Sequence, residues 1–404
     1  MDLVPTIETD HPLILGKQPR SEYFHYATKD YGGLLDLARC DFASQADFSL
    51  ATHRIKRSLD FWLERNDVCS KFLGDLNVGF IVNQTPNAYA IWRPTKSIIA
   101  ITSGFVWLIN DLLLTLFSHP SFLTIFGDPS KELANFNKCP DGFAVRGAVL
   151  DNSSRGLFLK PHAMPIDDVR HLYAREIASL VIEFAFYHEL GHLLSGHSAF
   201  LATQCDAPAF AEMSKTGEIA GLSLSLLRAL EFEADHFAVH AALGNGLMFE
   251  SAPDNDSDLQ ARYGLWAMAL ALTFRLFSQS GRTVNETNAL RHPHPLSRSS
   301  IVSSWVYAAT KLKFGDREKA SVWCGYYSML ISQQWKEFQL PGHQFDPLAR
   351  GDHLDDVAPQ IASAIELLAR FAERATPYRR VDVSSIITNG SETDWSRIGA
   401  ESDR

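Results

Sequence analysis

The sequence predicts an α+β fold that is mostly α, and three observations support this. Long stretches with apolar residues at helical spacing recur through the chain; one short region, 77–102, is rich in β-branched and aromatic residues around a polar break at Pro94; and no internal repeat divides the whole. Of the 404 residues, 46% are hydrophobic and 21% charged, which is the composition of a globular chain able to bury a large core.

Residues 1–45 contain Pro5, Pro12, Pro19 and the pair Gly32-Gly33 without a sustained period, so an irregular arm is expected. A helix over 47–67 follows, with Ile55, Phe61 and Trp62 as apolar positions. A strand is expected over 77–82, and two more, 87–92 and 97–102, form a hairpin across the polar turn 93–96. From 104 to 117 the apolar run lengthens into a buried helix. Residues 118–168 then turn polar and weakly periodic, as in an insertion packed over the body. A long helix is expected over 168–195, with Asp167 as its N-cap and Gly196 at its end. Helices over 218–243 and 259–277 come next, then helical patterns at 299–313, 317–338 and 357–375. The chain therefore divides into the arm 1–45, a main domain 46–315 carrying the insertion 118–168, C-terminal helices 316–376 packed on that domain, and a polar tail 377–404.

The formal net charge of −10 argues against a nucleic-acid partner, because binding phosphates needs a basic footprint. The five cysteines (Cys40, Cys69, Cys139, Cys205, Cys324) are scattered and never spaced CxxC, so neither a disulfide framework nor a thiolate metal site is expected. A reducing, cytoplasmic location follows as the expectation. The first 20 residues lack a basic segment followed by an apolar one, so no secretory leader is expected. Of two apolar stretches, 98–117 is broken by Ser103-Gly104 and Asn110-Asp111, and 263–277 carries Arg275 and is shorter than the roughly 20 residues a span requires. No stable membrane span is expected, and oligomeric state is not legible.

The helix over 168–195 ends in His188-Glu189-Leu190-Gly191-His192. Two histidines four apart lie on one helical face, one turn from each other, so both rings can reach one ion, while the glutamate after the first is placed to handle the proton of an attacking water. A catalytic zinc needs a third protein ligand and an open position. The next helix offers Glu231 and Asp235, four apart and hence on one face. Glu231 can complete a His-His-Glu set, and Asp235 can hold the non-metal nitrogen of a ligand histidine. Leu226, Leu227, Leu230, Phe232, Ala234, Phe237 and Ala238 make this helix apolar nearly all round, so its acids need buried partners. The three-histidine pattern HExxHxxGxxH fails, since Ser195 and Ser198 occupy the glycine and third-histidine positions; His197 reads as a supporting or helix-terminal residue. Glu233, His236 and His240 are rival third ligands, but Glu233 and His236 point elsewhere if Glu231 faces the ion.

HELGHLLSGH followed by EFEAD resembles the zinc site of the gluzincin peptidases that include the CaaX prenyl protease and the bacterial heat-shock protease HtpX. The resemblance extends to Asn87-Ala88-Tyr89, similar to that family's Asn-Ala-aromatic strand, and to His292-Pro293-His294-Pro295 with Arg298 six residues after His292. It covers short islands between residues 77 and 305. Members of that family are often embedded in membranes, and the insertion 118–168 and the C-terminal helices have no counterpart in it. The resemblance implies a zincin-like fold whose small sheet bears a substrate-facing edge strand, one Zn2+ per chain on His188, His192 and Glu231, Asp235 supporting them, and a polypeptide substrate lying along Asn87, Ala88 and Tyr89. It implies Glu189 as general base and His292 as a donor to the oxyanion. The function expected is that of a zinc endopeptidase. Two other readings stand beside it: an inactive or regulatory zincin-like binding protein, and a peptidase dedicated to one substrate in a stress or phage-exclusion response.

Overall fold

The structure is a computed structural model that describes residues 21–65, 76–93, 96–135, 164–204, 209–211, 222–246, 256–277 and 317–337, with isolated positions outside them such as Leu15, Arg298, Trp305 and Phe371. In chain order the helices are α1 (Ser21–Thr28), α2 (Phe42–Arg65), α3 (Ser103–Phe117), α4 (Asp168–Leu194), α5 (His197–Gln204), α6 (Leu224–Gly246), α7 (Asp256–Phe277) and α8 (Arg317–Glu337). The strands are β1 (Leu76–Ile81), β2 (Ala88–Arg93), β3 (Lys96–Thr102) and β4 (Ala209–Ala211), so the described fold is mostly helical with one small mixed sheet.

α4 is the axis of the molecule. Asp167 caps it by accepting from the backbone N–H groups of Val169 and Arg170, each at 3.1 Å. Every residue from 177 to 194 is buried, polar ones such as Glu183 and His188 included, because other elements surround this helix. By length and composition this is the one described helix that could cross a membrane, but its most apolar window is 100% buried within the protein. α2 docks on it through ion pairs: Arg54 bridges Glu176 and Glu183, and Arg175 reaches Asp47. Arg170, fully buried, donates to the carbonyls of Phe117, His119, Phe122 and Phe126, which ties the segment after α3 to the start of α4.

The sheet order is β1-β3-β2-β4, with β1 parallel to β3 and the other pairs antiparallel. Alternation sorts its two faces. Val78, Phe80, Ala88, Ala90, Ile99 and Ile101 join the main core with α4, whereas Ile81, Ile91, Ile98 and Ala100 pack with Phe24 and Ala27 of α1. The hairpin of β2 and β3 forms in the expected register, with Arg93 opposite Lys96.

Two expectations are corrected. The arm 1–45 is not irregular throughout: it contains α1, and Leu15 and Leu34 bridge to Val78 and Ile81 of β1. An eight-residue helix is too short to display a period, and it is held by packing on the sheet. Second, β2 is not the edge of the sheet along Tyr89–Ile91, because β4 pairs with it there. Three residues are too few for an alternating pattern, so β4 was illegible as a strand. α6 also begins later than expected, at 224, where the Ser223 hydroxyl accepts from the N–H of Leu226. The expected helix 317–338 is present as α8, while the patterns at 299–313 and 357–375 and the tail fall largely or wholly outside the described residues.

Candidate metal centre

The site forms where α4 crosses α6. A Cβ added at Gly191 would lie 3.2 Å from Ala234 Cα and 3.3 Å from its carbonyl oxygen, closer than side chains ordinarily pack. The bare backbone at 191 therefore lets the two helices approach within reach of one another's acids and imidazoles. His188 and His192 present their rings one turn apart on α4, with centroids 4.7 Å apart, and Glu231 comes across from α6. All three residues are buried, at 2%, 0% and 0% exposure.

Their ligating atoms lie within 4.8 Å of one another. His188 Nε2 is 3.0 Å from His192 Nε2 and 3.4 Å from a Glu231 carboxylate oxygen. Ligands about 2.0–2.2 Å from a tetrahedral zinc stand roughly 3.3–3.5 Å from each other. The His188–Glu231 pair matches this, the His188–His192 pair is a few tenths of an ångström shorter, and the donor atoms stay within 4.8 Å, close enough to share one ion. The chemistry of the donors fits as well: two neutral imidazoles and one carboxylate leave a fourth position of the tetrahedron outside the protein's own ligands.

Asp235, one turn beyond Glu231, meets the His188 ring on the side away from His192 and Glu231. His188 Nδ1 donates to Asp235 Oδ1 at 2.9 Å, and Arg298 donates to both carboxylate oxygens, from Nε to Oδ2 and from Nη2 to Oδ1, each at 2.7 Å. A carboxylate so engaged is an acceptor, so the His188 proton sits on Nδ1 and the lone pair on Nε2 faces the other donors. Arg298 is 3% exposed and stacks over Phe274, with its guanidinium carbon 5.2 Å from the ring centre.

Glu189 is fully buried on α4 beside His188. Its charge is felt by the Tyr89 phenol: burial chiefly, and then Glu189, raise the pKa of Tyr89, opposed by a hydrogen bond with Asn87. Asn87 is spent on the start of β2, where its side chain accepts from the N–H of Ala88 and its backbone is paired with Thr102. Ala88 faces the main core, and Tyr89 stacks on Tyr31 with centroids 4.9 Å apart on the opposite face. With β4 alongside, the stretch expected to receive a substrate strand is thus built into the sheet. His292 lies outside the described residues.

Among the rival ligands, Glu233 turns to His197, with Oε2 3.0 Å from His197 Nε2. His236 and His240 form a ring pair 4.4 Å apart, the first set edge-on against Trp305. Burial pushes both below the ordinary 6.5, His236 well below and His240 to about 4. The unfolded chain therefore binds more protons than the folded one between pH 6.5 and about 4, and stability present above 6.5 is lost as pH falls through that window. For His240 the loss is on the order of 3 kcal/mol. Urea unfolding of the chelator-treated protein is expected to lose that much more stability over this window than His240→Gln does.

The sequence pointed to every member of the His-His-Glu set and to Asp235. It identified Arg298 only as part of a resemblance, without the partner it serves, and it gave His197 no partner. His197 is five positions from His192, which on a continuous helix would face away. Gly196, at φ 79°, ends the helical path, and α5 starts at His197 so that the ring folds back. The glycine ahead of it was the available signal.

Compared with known protein families, curated proteins and solved structures, the chain matches none. What the structure defines is a mostly helical α+β protein with a buried His-His-Glu donor set able to hold a metal ion.

Proposed function

We propose that this protein is a zinc-dependent endopeptidase of the gluzincin type with a zincin-like catalytic core. The observation that carries the reading is the convergence of His188, His192 and Glu231 on one point, with Glu189 adjacent on the same helix. A zinc ion held by these three residues supplies Lewis-acid polarisation of a scissile carbonyl and acidifies a water molecule. Glu189 accepts the proton of the attacking water and returns it to the leaving amine. Asp235 and Arg298 hold the His188 ring at the angle its lone pair requires. The burial of Glu189 keeps its carboxylate in a low-dielectric setting, where a proton transfer is not diverted to bulk solvent.

The same burial favours a second reading, a zinc-binding protein without turnover, because a substrate must reach donors that are 0–2% exposed. Metal content and peptide hydrolysis together separate the two. Wild-type protein is expected to carry about one zinc per chain and to cleave unfolded polypeptide. Glu231→Ala, which removes one of three ligands, is expected to lose most of the zinc and the cleavage with it. Zinc retained at full occupancy by Glu231→Ala removes that residue from the site; zinc at full occupancy in a wild type that cleaves no polypeptide supports the second reading.

A further inference from the structure

The far side of the His192 ring carries a contact that holding a metal does not by itself require. His192 Nδ1 lies 2.9 Å from His197 Nδ1, and His197 Nε2 lies 3.0 Å from Glu233 Oε2. The rings of His192 and His197 are inclined at 65° with centroids 5.1 Å apart, and Phe371 closes edge-on over His197 at 5.7 Å. His197 is fully buried, while the Glu233 side chain is 16% exposed.

Proton placement follows from the partners. A carboxylate oxygen accepts, so His197 Nε2 carries the hydrogen it gives to Glu233. The other nitrogen of a neutral imidazole is then a lone pair, and His197 Nδ1 is the acceptor in its contact with His192. His192 Nδ1 therefore donates, and the lone pair of His192 falls on Nε2, the atom that faces His188 Nε2 at 3.0 Å. We infer that Glu233 and His197 form a relay that selects the tautomer and ring angle of His192, making both of them positioning residues for the metal site. His188 receives the same service directly from Asp235, so the acids at 231, 233 and 235 of one helix divide the work: one ligates, and one stands behind each histidine. The importance of the relay rests on the zinc reading above; its geometry does not.

Zinc affinity, measured by competition with a chromophoric chelator on the full chain, tests it. His197→Phe, which keeps a ring but has no acceptor, is expected to bind roughly 10- to 100-fold more weakly than wild type. His197→Asn, whose side-chain oxygen can occupy the place of Nδ1, should recover part of that loss. Glu233→Leu should fall between wild type and His197→Phe, and Glu233→Gln, which still accepts, should stay near wild type. The visible spectrum of the cobalt-substituted protein should change in His197→Phe and not in Glu233→Gln, a difference a purely structural role would not produce. Wild-type affinity in both His197→Phe and Glu233→Leu overturns the relay; if His197→Phe does not fold, the Glu233 pair decides. Should the wild type bind no zinc, the peptidase reading fails, and ring 15N spectra of histidine-labelled protein still settle the relay. Protonation at Nδ1 of His192 and Nε2 of His197 supports it, and the reverse pattern refutes it.

Discussion

Glu189→Gln is expected to keep about one zinc per chain while peptide hydrolysis falls by roughly 10²- to 10⁴-fold, the range that general-base catalysis commonly contributes. Glu189 is fully buried on α4, so the substitute must fit the same space, and glutamine differs by one atom. The amide cannot take the proton of an attacking water. The proposed ligands are untouched, because the donors that converge are His188, His192 and Glu231. Metal analysis and initial rates on a polypeptide cleaved by wild type measure the two quantities independently. The loss should appear in kcat with KM little changed, since proton transfer belongs to the transition state and not to substrate binding. Hydrolysis at the wild-type rate by Glu189→Gln would sink the mechanism.

Arg298→Leu is expected to destabilise the folded protein by about 3–5 kcal/mol, as breaking one side of a buried ion pair does. The pair has Asp235 at 0% and Arg298 at 3% side-chain exposure, and the two hydrogen bonds between them are each 2.7 Å. Among the described residues, removing the guanidinium leaves the buried Asp235 carboxylate with His188 as its remaining partner and without its arginine. Urea unfolding of the zinc-free protein reads the loss without interference from metal linkage. The double variant Arg298→Leu, Asp235→Leu should regain part of the stability, because an apolar pair no longer strands a charge, yet bind zinc more weakly than wild type, because the Nδ1–H of His188 loses its acceptor. An Arg298→Leu protein as stable as wild type would show that Asp235 finds another partner.

How far the site could be read in advance depended on whether its parts shared an element. His188, Glu189 and His192 lie within five positions of one helix, and Glu231 with Asp235 within five of another, so the 3.6-residue period was enough to align each group. Gly191 and Gly196 belong to the same stretch, but one matters through the approach of Ala234 from α6 and the other through the direction in which the chain leaves α4. Neither is a property of the helix in which the residue was read. The sheet divided in the same way. The hairpin of β2 and β3 declared itself by composition and a polar turn, whereas β4, three residues long, is defined by pairing with β2 and not by any pattern of its own.

The sequence by itself determined a mostly helical α+β chain, the long helix capped by Asp167, the hairpin, and which residues form the buried His188, His192 and Glu231 cluster with Asp235 beside it. These are consequences of local periodicity, capping and side-chain chemistry, which act over a few residues. Only the tertiary structure decided that β2 is covered along Tyr89–Ile91, that Arg298 holds Asp235, and that Glu233 reaches His192 through His197. Each of those contacts joins segments whose meeting is set by how helices and strands pack, and burial makes it costly for any of these polar groups to lack the other.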